Sequence, residues 1–333
     1  MRFAALGRTE FLYDTIVALH AAGHEPACIV TAPAAPEYAR REHDFEQLAK
    51  DLGCPFLLVS NLGETDVAEL LAGIDVAVSV NWPFILTQDI LGLFPHGVLN
   101  IHAGDLPRYR GNACPNWAML MGEKEVFLSV HVMQPGELDC GPILAQRSFP
   151  LLDTTYYGDI LSWIQAVSPE MFRQALDSLD RDPGHSLKIA RADAAEAFRC
   201  YPRVPEDGYI DWRQSALQIH TLIRASGPPL PGAYTYRWYK GRLEKVVVLR
   251  ACLPRETLSL DLAMPGQVLR NDPESGLSFV ACGDKSVLAL EQCRIGEEPP
   301  FAPGGAWRSF RVRLGIRAED MLWLTLREQG LAR

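Results

Sequence analysis

Short apolar runs and longer amphipathic stretches alternate through the first third of the chain. Residues 2–6 form an apolar run suited to a strand, 10–22 carry apolar positions at helical spacing and stop at Gly23, and 27–31 form the next strand. A helix over 45–52, a strand over 55–59 and a short helical stretch over 65–71 follow. The run Val76-Ala77-Val78-Ser79-Val80 within 75–80 lacks the alternation of a half-exposed strand and so predicts one covered on both faces. Residues 97–101 give the same signal. Strand and helix in turn predict a Rossmann-like α/β domain built on a doubly wound parallel sheet. Its first turn, Gly7-Arg8-Thr9, lacks the G-x-G-x-x-G spacing of a dinucleotide fingerprint. Ligands of such sheets lie outside the carboxyl ends of the strands, which directs attention to residues 80–83 and to the segment after Ile101.

Beyond this sheet the pattern changes. Asp182-Pro183-Gly184 and the stretch from Tyr201-Pro202 to Asp207-Gly208 are rich in turn formers, which predicts a linker over 186–208. One helix over 215–225 and the turn Pro228-Pro229-Leu230-Pro231-Gly232 lead into short strands at 245–249, 266–269, 278–281 and 287–290. Such strands, divided by Gly and Pro, predict a small β-barrel. A chain of 333 residues suits two domains, here 1–185 and 209–333.

An apolar share of 48% against 22% charged excludes a disordered chain. The net charge of −9 provides no global field to attract a phosphate backbone, so nucleic acid is not an expected partner. No apolar run reaches membrane-spanning length and the start has no cleavage site after its short apolar stretch, so the expected location is cytoplasmic, with no membrane partner. The eight cysteines include no C-x-x-C pair and no Cys/His cluster at ligand spacing, so no metal is expected. Cys114 and Cys140 adjoin the residues considered next, with packing as their plainer role.

The richest local sequence runs from Asn100-Ile101-His102 to Arg110-Gly111-Asn112. Side chains alternate along a strand, so Asn100 and His102 share one face. Asp139 follows His102 by 37 positions, in the turn Glu137-Leu138-Asp139-Cys140-Gly141-Pro142 after a strand over 129–133. An amide, an imidazole and a carboxylate converging at strand ends suit acyl transfer: the imidazole takes a proton from an attacking amine, the carboxylate orients and charges it, and the amide donates to the developing oxyanion. The same residues also suit satisfied polar groups at a strand end and a turn-forming Asp, and the residues by themselves leave both readings open.

Asn-x-His followed by Leu-Pro-x-Tyr-Arg-Gly, then Asn116-Trp117, Gly122-Glu123 and Leu-Asp-x-Gly-Pro, resembles the 10-formyltetrahydrofolate-dependent formyltransferases, which include methionyl-tRNA formyltransferase and the aminosugar N-formyltransferases. The segment from Pro205 to Trp212, with Ile223-Arg224-Ala225 and Pro231-Gly232-Ala233, is similar to the junction leading into the family's carboxy-terminal OB-like domain. The resemblance implies that Asn100 polarises the formyl oxygen, that His102 is the general base, and that Asp139 fixes His102 and assists proton transfer. It implies a pterin slot lined by Trp82, Phe84, Ile85 and Leu86, facing a loop of Gly136, Glu137 and Leu138. One departure is Gly104-Asp105, where family members commonly have Ser-Leu; Asp105 contacts the acceptor or caps the turn.

A small amine acceptor, most simply a nucleotide-linked aminosugar, is implied, with Asn81, Asp105, Tyr109, Arg110 and Asn112 as candidate contacts; Arg110 also suits a bracing role. The tRNA-directed members carry a basic loop after the second strand. Here residues 32–44 hold Arg40 and Arg41 but also Glu37, Glu42 and Asp44. Alternatives are an amino-acid-derived amine such as hydroxyornithine, methionyl-tRNA, and a folate-binding module without turnover. A homodimer is a candidate assembly.

Overall fold

An unbroken apolar run has one stable place, between two covering layers, and β1 (Arg2–Gly7) takes it, with Phe3, Ala4, Ala5 and Leu6 fully buried. The computed structural model describes residues 1–36, 38–59, 67–181, 197–255, 262–307, 309, 311–316, 322–323, 325–327 and 329–331. The helix α1 (Glu10–Ala21) buries Leu12, Ile16 and Leu19 on one stripe. After β2 (Glu25–Thr31), α2 (Glu42–Leu52) ends at Gly53, whose φ of 70° is the left-handed conformation that stops a helix. Then come β3 (Phe56–Leu58), α3 (Ala68–Leu71) and β4 (Val76–Val80), the last buried at all five positions. The helix α4 (Gln88–Leu91), capped by the Thr87 side chain, precedes β5 (Val98–His102).

These five strands are parallel, in the order β3-β2-β1-β4-β5, so strand order reverses between β1 and β4. That reversal opens a crevice at the carboxyl ends, the usual ligand position in such a sheet. The sheet then continues antiparallel. After β6 (Tyr109–Gly111) and α5 (Cys114–Leu120), β7 (Glu125–Val132) pairs with β5, and β8 (Ile143–Pro150) pairs with β7. The expected parallel sheet thus carries two antiparallel strands at one edge. The helix α6 (Tyr157–Arg181) buries Ile160, Ile164, Met171, Phe172, Ala175, Leu176 and Leu179 at helical spacing. Neither β8 nor α6 is among the elements expected from the sequence. Within the stretch expected to be a linker, β9 (Phe198–Cys200) pairs with β6. Residues 182–196, which include the Asp182-Pro183-Gly184 turn and the first part of that linker, 186–196, and residues 65–66 of the expected helix lie outside the described residues.

Two compact units result. The first comprises Met1–Ala118, Glu123–Leu152 and Asp159–Pro202; the second comprises Met119–Gly122, Asp153–Gly158 and Arg203–Arg333. In the second, α7 (Ala216–Ala225) begins with a capping box between Ser215 and Gln218. Its strands are β10 (Ala233–Tyr239), β11 (Arg242–Cys252), β12 (Val268–Asn271), β13 (Ser278–Ala281) and β14 (Val287–Ile295), followed by α8 (Pro303–Ala306). They form an antiparallel sheet in the order β10-β11-β14-β13-β12. Bridges from Leu314 to Arg237 and from Arg313 to Gln267 link its two edges, curling the sheet toward a barrel around Trp212, Ile219, Ile223, Val246 and Leu288. Among the described residues, no helix is long and apolar enough to cross a membrane.

Candidate active site

Strand β5 delivers Asn100 and His102 two residues apart to the carboxyl end of the sheet, hence on one face. The antiparallel neighbour β7 sets His131 opposite Asn100, and the turn after β7 returns Asp139 to the same place. Asp139 Oδ2 lies 3.4 Å from His102 Nδ1, and its Oδ1 lies 3.4 Å from His131 Nε2. Asn100 Nδ2 is 3.3 Å from His131 Nε2. The Gly111 N–H donates to Asp139 Oδ2 at 2.9 Å. Asp139 sits at φ 51°, a left-handed position that Asp tolerates better than most residues. The three residues expected to act together are brought together. His131 is absent from the sequence reading; the available signal is a histidine inside the apolar run Val130-His131-Val132 on the strand leading to Asp139.

His102 Nε2 lies 2.8 Å from the Tyr109 carbonyl oxygen, which only accepts, so Nε2 carries the proton and the neutral ring keeps its lone pair at Nδ1. A proton taken at Nδ1 is then shared with Asp139. Orientation of the ring is therefore shared by a backbone carbonyl at Nε2 and the Asp139 carboxylate at Nδ1, and Asp139 supplies charge. A Cβ at Gly104 would collide with both the His102 ring and the Tyr109 carbonyl, so this glycine is what lets the loop fold over the imidazole.

Burial lowers the His102 pKa below the ordinary imidazole value, against the opposing pull of Asp139 and the Tyr109 carbonyl. For Asp139, burial pushes upward, but the hydrogen bond from His131, the charge of His102 and the Gly111 N–H hold it down at about 2. At neutral pH the pair is thus a neutral imidazole facing a carboxylate. With the neutral ring as the base, kcat/KM is expected to rise with pH and level off along an acidic limb centred below about 6.5. A pH–rate profile whose limb lies above 7 would be inconsistent with a base of lowered pKa. Cys114 Sγ lies 3.6 Å from His102 Nε2, but burial raises its thiol far above the ordinary value, leaving it a neutral packing group.

Beside this cluster Phe84, Ile85 and Leu138 are exposed by 38%, 81% and 41%, apolar surface that a flat heteroaromatic ring would cover. Trp82 meets Phe84 edge-on at 5.9 Å, and its Nε1–H is buried without a partner among the described residues. Gly136 takes φ 93° in the facing loop, where the exposed Glu137 pairs with Arg110 at 3.5 Å. The Leu86 side chain is 6% exposed and packs into the core with Leu6, Ala77 and Ile90, which leaves its backbone as the part open to a ligand.

The expected acceptor contacts divide similarly. Asp105 pairs with Arg108 at 3.2 Å, Arg108 with Glu123 at 3.0 Å, and the Tyr109 hydroxyl donates to Glu123 at 2.8 Å. Tyr109 is 2% exposed. Asp105 and Tyr109 therefore brace the loop over His102, with Arg108 bridging Asp105 to Glu123 and the buried Tyr109 hydroxyl taken up by Glu123. Arg110 donates to the Pro107 carbonyl at 3.1 Å. Asn81, at φ 50°, donates to the Tyr38 hydroxyl at 2.9 Å, and Asn112 is exposed. At the ends of β1 and β4, Arg8 Nε, Thr9 Oγ1 and Ser79 Oγ are buried without partners among the described residues. The sequence reading did not single out Arg8, Thr9 or Tyr38.

Residues 1–176 match the protein family described as "Formyl transferase", and 203–310 match "Formyl transferase, C-terminal domain". The methionyl-tRNA formyltransferase of Anaeromyxobacter dehalogenans (strain 2CP-1) is 32% identical over 323 residues, covering 95% of this chain and 100% of that protein. That of Geobacter sulfurreducens is 29% identical over 325 residues, 95% of this chain and 96% of its own. Among solved structures, an N-formyltransferase from Helicobacter canadensis in complex with folinic acid and dTDP-3-aminofucose superposes with a TM-score of 0.61 at 15% identity, over 86% of this chain and 98% of that one. HypX from Aquifex aeolicus in complex with tetrahydrofolic acid gives 0.58 at 19%, over 93% of this chain; the present chain spans about half of HypX, 47%. Likeness at these identities establishes the fold.

Proposed function

Because the chain belongs to the 10-formyltetrahydrofolate-dependent formyl transferase family, we propose that it moves a formyl group onto the amine of a small acceptor, a nucleotide-linked aminosugar. The residues present fit the folate: exposed Phe84, Ile85 and Leu138 offer the apolar walls that a flat ring needs. The folate supplies the formyl group. His102 accepts the amine proton at Nδ1, Asp139 stabilises the resulting imidazolium, and the proton would return to the folate nitrogen that leaves as its bond to the formyl carbon breaks. The Asn100 amide donates to the formyl oxygen as negative charge develops there. His131, whose Nε2 donates to Asp139, helps hold that carboxylate in place.

The observation that carries the acceptor assignment is the fate of the cations after β2. The Arg40 guanidinium lies over the Tyr13 ring at 4.2 Å and pairs with Asp44 at 3.4 Å. Arg41 donates to the carbonyls of Ala35 and Pro36 at 3.2 and 3.0 Å. Arg40 is thus paired with a carboxylate and the Arg41 donors are engaged by carbonyls, which supports a loop with little free cationic surface for a phosphate backbone, in keeping with the net charge of −9. Glu37 of this loop lies outside the described residues.

A second reading, methionyl-tRNA, is favoured by the full-length likeness to the tRNA enzymes. Initial rates with a nucleotide-linked aminosugar, hydroxyornithine and methionyl initiator tRNA decide between them. The sugar is expected to be formylated, with tRNA binding weak at physiological salt; efficient formylation of the tRNA would overturn the small-acceptor reading.

A further inference from the structure

The C-terminal unit holds a cavity of about 810 Å³, walled by the segment before α6, by α7 and by the ends of β11, β13 and β14. That volume lies in the range of small-molecule sites, and none of the residues given a part in formyl transfer lines it. Its floor is built with care. The Tyr156 hydroxyl donates to the Ala251 carbonyl and accepts from the Ala251 N–H, each at 3.2 Å, which fixes the ring. The Arg250 guanidinium rests over that ring at 4.6 Å, a cation–π contact that sets a charge at the cavity wall. Arg255 lines the same space. Among the described residues neither arginine has an ion-pair partner.

Opposite chemistry stands beside them. His220 is 4% exposed and donates its Nε2–H to the Ala251 carbonyl at 3.1 Å, so the neutral ring leaves Nδ1 as an acceptor, and Nδ1 has no partner among the described residues. Burial, aided by Arg224, lowers the His220 pKa and favours that neutral form. Glu291 and Asp153 add carboxylates, which only accept. The cavity therefore pairs fork-shaped donors suited to phosphate with several acceptors suited to hydroxyls.

We propose that this cavity binds a phosphorylated sugar, its phosphate on Arg250 and Arg255 and its hydroxyls donating to Glu291 and Asp153. A free sugar phosphate and the ribose phosphate of a nucleotide share this chemistry. The proposal is independent of the acceptor assignment, since it rests on other residues.

Isothermal titration of the full-length protein with ribose 5-phosphate, a nucleoside 5′-monophosphate and inorganic phosphate tests it. Saturable binding of the first two is expected, stronger than that of inorganic phosphate. Arg250→Gln and Arg255→Gln should each weaken it about tenfold or more through loss of a charge-assisted contact, while His102→Ala leaves it unchanged. Preference for the nucleotide identifies that source; equal affinity identifies the sugar phosphate. Should Arg250→Gln lower the melting temperature, the exposed Arg255 decides through its own variant. Absence of saturable binding at millimolar ligand, or binding unaltered by both substitutions, overturns the proposal.

Discussion

His102→Ala is expected to lower formyl transfer by about 10²–10⁴-fold while the affinity for 10-formyltetrahydrofolate changes little. The imidazole contributes a proton acceptor whose lone pair, at Nδ1, is set by the Tyr109 carbonyl and backed by the Asp139 carboxylate. That function is realised as the amine loses its proton, not when the folate binds, so the loss falls on turnover. Asn100→Ala should behave alike, with a loss of about 10²–10³-fold for one oxyanion donor. Because His102 is buried among Tyr109, Gly104 and Cys114, removing it leaves a small void, and the melting temperature must be followed in parallel. A folded variant that retains wild-type turnover contradicts the assignment of the base.

Much of this arrangement is legible in the sequence because it rests on local periodicity. Asn100 and His102 share a face by the period of two, and Val76–Val80 reads as a doubly covered strand because nothing in it alternates. What escapes depends on distant pairing. His131 acquires meaning only through the antiparallel register of β7 against β5, which sets it opposite Asn100. The Tyr109 contribution is a backbone carbonyl, to which no side-chain pattern points. The bracing of Asp105 and Tyr109 is hidden for the same reason, because Glu123 joins their network from beyond α5. In α6 the apolar stripe is regular, but Pro169 inside it reads as a helix stop; tertiary packing of Met171, Phe172 and Leu176 overrides that local signal.

Asp139→Asn is expected to cost about a hundredfold or more in turnover, with the fold kept. Asparagine preserves size, tolerates the left-handed backbone at φ 51° and can still accept from the Gly111 N–H. It removes the negative charge that the two imidazoles face. Asp139 opposes the burial that lowers the His102 pKa, so its loss moves the acidic limb of the pH–rate profile further down. A residue that merely shaped the turn would leave both turnover and that limb where they are, since turns accept Asn as readily as Asp.

The most direct test measures turnover, folate affinity and melting temperature on one preparation of Asp139→Asn beside the wild type, at saturating folate and acceptor. If His102 and Asp139 act together to take the amine proton, turnover collapses while folate affinity and melting temperature hold. Turnover within a few-fold of wild type in a folded, folate-binding variant would show Asp139 to be a turn residue and remove the proton-transfer pair from the account.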